Sequence, residues 1–150
     1  MKKRQNNESN IKTCPFCTID TKRTKIIHSK SYTIVILSNP RLVPGHLLVI
    51  PKRHVEKLSE LTEEEKNELC NTVIEFQENI LLRVSSGCDV RQNYRPFLKE
   101  SRLKVNHLHI HLIPREFKDD IFRHIQIFEN NLFKELDEKE IKNFLFKKNL

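Results

Sequence analysis

Hydrophobic and polar positions alternate strictly over His107-Leu108-His109-Ile110-His111-Leu112-Ile113 before Pro114 ends the run. A period of two is the period of a β-strand, so this pattern predicts a strand with three imidazoles on one face and three aliphatic side chains on the other. At strand rise the outer two rings stand about 13 Å apart, with the third between them. Two further stretches, Tyr32 to Leu37 and His46 to Pro51, are apolar and β-branched without alternation, and read as buried strands. Turns at Ser38-Asn39-Pro40-Arg41 and Val43-Pro44-Gly45 separate them, which predicts an antiparallel pair. The period then changes. Leu69, Val73, Phe76 and Ile80 form one helical stripe, flanked by Cys70, Ile74 and Leu81. Thr62 with Glu65 three residues on predicts a capping box at the helix start. The helix should run to about Val84 and end at Ser85-Ser86-Gly87. A short strand around Val90 to Tyr94 follows, then a basic loop from Arg95 to Arg102. Beyond Pro114, Ile121, Ile125, Phe128 and Leu132 keep helical spacing. Asp137 and Glu140 could cap a last helix carrying Ile141, Phe144 and Leu145.

Composition narrows the class. A chain of 150 residues is long enough for one domain with a real core. With 31% charged and 37% hydrophobic residues it reads as soluble and globular, and no stretch has the apolar length of a membrane span. Residues 1–12 are polar and read as a disordered lead-in. No apolar region follows Lys2-Lys3-Arg4, so the segment is not a secretory signal. These features predict a cytoplasmic protein with reduced thiols, among them Cys70 and Cys88. The net charge of +7 is consistent with a lysine-rich solvated surface or with attraction of polyanions. No RNA-binding aromatic signature or helix-turn-helix accompanies it, so nucleic acid is not an expected partner. With only Gly45 and Gly87 available, no glycine-rich phosphate loop can be built. Any phosphate must be held by side chains and a few backbone amides.

Two sets of residues carry candidate chemistry. The imidazole face of the His107–Ile113 run has no obvious structural use, because neutral rings in a row bury poorly. Imidazole near neutral pH is a nucleophile and a proton carrier, and also a metal ligand. Cys14-Pro15-Phe16-Cys17 is either a redox pair or half of a metal site. The redox reading wants a buried strand ahead of the motif, and none is visible before Cys14. A zinc site would need two more His or Cys ligands. His124 reads as a surface histidine.

The run His107 to Ile113 resembles the histidine-triad (HIT) motif, His-φ-His-φ-His-φ-φ with φ hydrophobic, and fits it at all seven positions. The resemblance spans Cys14 to about Arg115 and points to the zinc-bearing, bacterial-type branch. It implies an α+β fold: an antiparallel sheet of about five strands, one long helix packed on it, and C-terminal helices. The HIT core would cover about 14–115 of a single domain, 13–150, with a helical extension over 117–150. Homodimers are common in the family, so a homodimer is expected. The resemblance implies that His109 is the nucleophile, that His111 serves the leaving group or phosphate oxygens, and that His46, after Pro44-Gly45, faces the α-phosphate. It further implies that Cys14, Cys17, His54 and His107 bind zinc. Such a Cys₂His₂ set is closed, and hence structural.

This chain departs from the family where relatives carry Gly-Gln-Ser/Thr-Val before the triad. Leu103 and Lys104 fall on the Gln and Ser/Thr positions. Ser101, Arg102 or Lys104 are therefore the candidates for phosphate contact. The ribose position falls on Ser38, with Asn39 next, and Asn93 matches an asparagine found near the phosphate. The implied activity is that of a nucleotide hydrolase or nucleotidyl transferase. It would attack an α-phosphate, of a dinucleoside polyphosphate or nucleoside phosphoramidate, through a covalent nucleotidyl-histidine. Two alternatives stay open: a nucleotide-binding module without catalysis, and a metallohydrolase using the histidine row. Against the latter, no acidic ligand follows His111 closely.

Overall fold

The structure is a computed structural model and describes residues 14–101, 103–129 and 137. Five strands form one antiparallel sheet: β1 (Ile26–Ser29), β2 (Thr33–Leu37), β3 (Leu47–Pro51), β4 (Gly87–Gln92) and β5 (Ile110–Arg115), in the spatial order β1-β2-β3-β5-β4. One long helix, α1 (Glu63–Arg83), joins β3 to β4 and packs on the sheet. This is the α+β architecture expected from the sequence. The first strand was not anticipated, because Ile26 to Ser29 is too short and too polar to declare itself.

The apolar runs in β2 and β3 are continuous because the sheet is covered on both faces. Side chains alternate between two clusters. Val35, Leu47, Val49, Leu108 and Leu112 meet Leu69, Val73 and Ile80 of the helix. On the opposite face Ile34, Ile36, Leu48 and Ile50 pack with Phe16 and Ile19 of the N-terminal segment. The predicted helical stripe is thus the one that packs, with Phe76 partly buried against it. Cys70 and Ile74, beside the stripe, are exposed.

The helix start follows the expected capping box: Thr62 Oγ1 accepts from Glu65 N–H, and Glu65 Oε2 accepts from Thr62 N–H at 2.8 Å. The same carboxylate takes two hydrogen bonds from Arg53, at 2.8 and 2.7 Å. Helix α1 is thereby tied to the segment that follows β3.

The histidine run is not a strand throughout. Strand β5 begins at Ile110, three residues later than the alternation suggests. The ladder with β3 pairs Val49 with Ile110. Two residues further it would bring Leu108 opposite Pro51, which has no N–H to donate. Residues 107–109 instead bond past the end of β3, where Leu108 N–H donates to Val55 O at 2.6 Å. Strand β4, by contrast, starts earlier than expected, at Gly87, and ends at Gln92.

Residues from Phe117 onward belong to a second compact unit. Its described residues include α2 (Asp120–Glu129), with Asp119 Oδ1 accepting from Phe122 N–H at 2.6 Å near the helix start. His124 is exposed. The expected lead-in over 1–12, Leu132, and the last helix apart from Asp137 lie outside the described residues. No helix among the described residues is long and apolar enough to cross a membrane.

Candidate active site and metal-ligand cluster

The sheet register sets the site. Ile36 pairs with Leu48, Leu48 with His111, and His111 with Arg91. Directly opposed residues share a face, so these four make a row across β2, β3, β5 and β4 on the side away from the helix. A cavity of about 480 Å³ opens over part of this row. Its lining includes Ile36, Leu48, Phe16, His46, His109 and His111.

Gly45 places His46. It sits at φ +78°, a conformation that side chains bearing a Cβ rarely adopt. An added Cβ would also lie 3.1 Å from Val84 and 3.2 Å from Pro114. His46 is then held by its neighbours, and backbone groups decide its tautomer. The Leu42 N–H donates to His46 Nδ1 at 3.2 Å, so the ring proton belongs on Nε2. Nε2 in turn donates to His111 Nδ1 at 2.9 Å. His111, neutral, must carry its proton on Nε2. His109 is arranged the opposite way: its Nδ1 donates to His107 O at 2.6 Å, leaving Nε2 as a free lone pair. The His109 and His111 rings meet edge-on, centroids 4.8 Å apart. The site therefore offers one imidazole lone pair beside one imidazole N–H.

Burial keeps these rings neutral. It pushes His46 down to about 4, with Arg91 and His109 adding to the effect. It pushes His111 down to about 3, helped by His109, His46 and Arg91. His109 is lowered by burial as well, partly offset by its bond to the His107 carbonyl. A cation beside a neutral ring disfavours a second positive charge, which is the physical content of the Arg91 contribution.

A second cluster lies next to the first. Cys14, Cys17, His54 and His107 bring their ligand atoms within 4.8 Å of one another. His107 Nδ1 is 3.4 Å from Cys14 Sγ and 3.5 Å from Cys17 Sγ, and His54 Nδ1 is 3.2 Å from Cys17 Sγ. A tetrahedral zinc with ordinary Zn–S and Zn–N bonds has S···N edges of about 3.5 Å. The donor set and its spacing fit such an ion. His107 Nε2 donates to Pro51 O at 2.8 Å, which fixes the tautomer that presents Nδ1 to a metal. Burial and the adjacent Cys14 thiol push the Cys17 thiol up to about 12.

The expected substrate contacts separate. Ser38, Asn39 and Ser101 line the cavity. The Ser38 hydroxyl donates to Pro40 O at 2.8 Å and the Asn39 amide reaches Arg23 O at 3.5 Å. Asn93 is not among the lining residues, and its Oδ1 accepts from Arg95 at 3.5 Å. Lys104 does not line the cavity either, because its ammonium is bonded to Leu98 O and, at 2.6 Å, to Asn106 Oδ1. Leu103 does line it, on a tight turn closed by two backbone bonds between Ser101 and Lys104. Arg102 lies outside the described residues.

Three contributors escaped the sequence reading. Phe16 meets His109 and His107 edge-on, at 5.2 and 5.8 Å between centroids. Its place inside Cys14-Pro15-Phe16-Cys17 could have suggested this. Arg91 and Arg41 carry no local signal. Only the register puts Arg91 opposite His111, and only the loop path puts Arg41 in the cavity wall.

Comparison with known proteins bears on the histidine run. The sequence model of the HIT domain matches residues 19–118. An uncharacterised HIT-like protein of Methanocaldococcus jannaschii is 33% identical over 109 residues, covering 68% of this chain and 78% of the relative. The asymmetrical bis(5'-nucleosyl)-tetraphosphatase of Schizosaccharomyces pombe is 31% identical over 103 residues, covering 66% of this chain and 50% of its own length. Among solved structures, a HIT-family protein from Bacillus subtilis superposes with a TM-score of 0.67 at 26% identity, covering 92% of this chain and 98% of its own.

Proposed function

We propose, from the premise that this chain belongs to the HIT family, that it is a nucleotide hydrolase or nucleotidyl transferase working through a covalent nucleotidyl-histidine. Hydrolases occur in the family, as the S. pombe relative illustrates by its name. The observation that carries the reading is the pair of opposite tautomers, a lone pair at His109 Nε2 beside a proton at His111 Nε2.

In the first step His109 Nε2 forms a bond to the α-phosphorus and the bond to the leaving group breaks. His111 Nε2–H donates a hydrogen bond to the leaving atom, which departs carrying the electron pair of the broken bond and takes any proton it needs from solvent. His109 Nδ1 keeps its proton on the His107 carbonyl, which steadies the imidazolium that forms. In the second step water, or another acceptor, attacks phosphorus and releases its proton to solvent, while the bond to His109 breaks and Nε2 regains its lone pair. His46 is a positioning residue: it holds His111 in the tautomer that donates. Ser38, Asn39 and Ser101 lie where they can meet the nucleotide.

Cys14, Cys17, His54 and His107 would hold Zn²⁺ as a closed set of four, and the ion would supply structure, joining the N-terminal segment to the start of the histidine run. With no ligand position left over, it takes no part in the steps above.

The test is a panel of dinucleoside polyphosphates and nucleoside phosphoramidates, with acid-quenched mass spectrometry of the protein. A nucleotidyl adduct should form and vanish in the His109→Ala variant. Undiminished turnover by that variant sinks the mechanism. A binding module without catalysis is the second reading, motivated by the apolar Leu103 at the cavity rim. Tight nucleotide binding with no adduct and no turnover across the panel would select it.

A further inference from the structure

Three imidazoles line the cavity, yet the burial that keeps His46 and His111 neutral leaves those rings without charge to offer an anion. Among the described lining residues there is one strongly basic side chain, Arg41, and no carboxylate. Other cations are committed elsewhere: Arg91, opposite His111 but not in the cavity lining, meets Asp89 at 3.9 Å, Arg23 meets Asp20, and Lys104 is bonded to its own loop. The Arg41 guanidinium has no hydrogen bond or ion pair among the described residues, and it is exposed enough to swing. Its backbone is close to the reacting row, since the next residue, Leu42, donates its N–H to His46. A bidentate donor at the wall of an apolar cavity, with no acid to neutralise it, is matched to phosphate oxygens.

Resting on the nucleotide reading above, we propose that Arg41 binds phosphate oxygens beyond the phosphorus that is attacked, so that the preferred substrates carry a phosphorylated leaving group. The class is that of the dinucleoside polyphosphates rather than the phosphoramidates. The arrangement also explains how the site dispenses with Lys104: Arg41 supplies, from the loop after β2, the charge that Lys104 withholds.

The experiment compares wild type, Arg41→Ala and Arg41→Lys on diadenosine tetraphosphate and adenosine 5'-phosphoramidate, with thermal melting as the control for folding. For Arg41→Ala the KM for the tetraphosphate should rise about tenfold or more, the loss falling on KM rather than kcat. The ratio of kcat/KM values, tetraphosphate over phosphoramidate, should fall at least about fivefold, and Arg41→Lys should recover part of it. The salt dependence of the tetraphosphate KM should flatten by about one charge. Equal losses on both substrates, or a KM unchanged within about twofold, overturn the proposal. If His109→Ala is dead while Arg41→Ala behaves as wild type, nucleotidyl transfer stands and the role of Arg41 falls. Where wild type turns over neither substrate, equilibrium binding of ATP decides: about tenfold weaker binding by Arg41→Ala supports the assignment. Equal binding overturns it, and no binding by wild type overturns it together with the nucleotide reading.

Discussion

His46 Nε2 donates to His111 Nδ1 across 2.9 Å, and Leu42 N–H closes the other side of the His46 ring at 3.2 Å. A backbone amide cannot change its role, so it orders both rings: the amide dictates the His46 tautomer and His46 dictates that of His111. In the proposed mechanism the N–H that His111 offers to a leaving group is thus placed by a backbone amide, acting through His46.

Removing His46 should therefore damage His111 without touching the nucleophile. His46→Ala should lower kcat about 10- to 100-fold. The rate of adduct formation, followed by rapid quench, should fall most for substrates with poor leaving groups, which depend on the hydrogen bond from His111 Nε2–H. A uniform loss across leaving groups of different basicity argues against the relay.

Arg91 disfavours protonation of both His46 and His111. Arg91→Ala should raise both pKa values, so the acid limb of the kcat profile should move to higher pH. In wild type these rings titrate at about 4 and about 3, so their protonation should leave activity intact down to mildly acidic pH. An acid limb that stays in place in Arg91→Ala removes the electrostatic role.

The same shifts set a stability trend. Folded His46 and His111 sit below their ordinary value of 6.5, so between pH 6.5 and about 4 the unfolded chain binds more protons than the folded one. Stability is fully present above pH 6.5 and declines as pH falls through that window. Melting temperature measured from pH 7 to pH 4 should drop steadily, and less so in a His46→Gln variant. A flat curve contradicts the burial of neutral rings.

Metal removal should act on the fold. Cys14→Ser, or a strong chelator, should lower the melting temperature by about 10 °C or more and release one zinc per chain, with recovery on re-addition of metal to wild type. Bound metal is read by elemental analysis. Full stability after complete metal loss would contradict the structural assignment.

Glu65 links the helix cap to Arg53, next to His54 of the Cys/His cluster. Its carboxyl is held down at about 2, chiefly by Arg53. Arg53 is half exposed, so solvent screens the pair, and Glu65→Gln should cost about 1–2 kcal/mol in urea unfolding. A cost below measurement error would show that the cap and ion pair contribute nothing net.

Much was legible before any coordinates. Periodicity separated the buried strands from the amphipathic helix, and Thr62 with Glu65 marked the helix start, because such patterns are local consequences of backbone geometry. The alternation of His107 to Ile113 was enough to send imidazoles and aliphatic side chains to opposite sides, even though only the part from Ile110 onward is a strand. The gathering of Cys14, Cys17, His54 and His107, expected by family resemblance, is what the fold brings together. Pairing between distant strands was not readable, because register depends on contacts that no single stretch encodes. Tertiary structure alone decided that Arg91 stands opposite His111, that Lys104 is spent on its own loop, and that Arg41 reaches the cavity wall. Tautomers belong to the same class: which ring nitrogen holds a proton follows from a carbonyl or amide brought near by folding, and sequence carries no record of that neighbour.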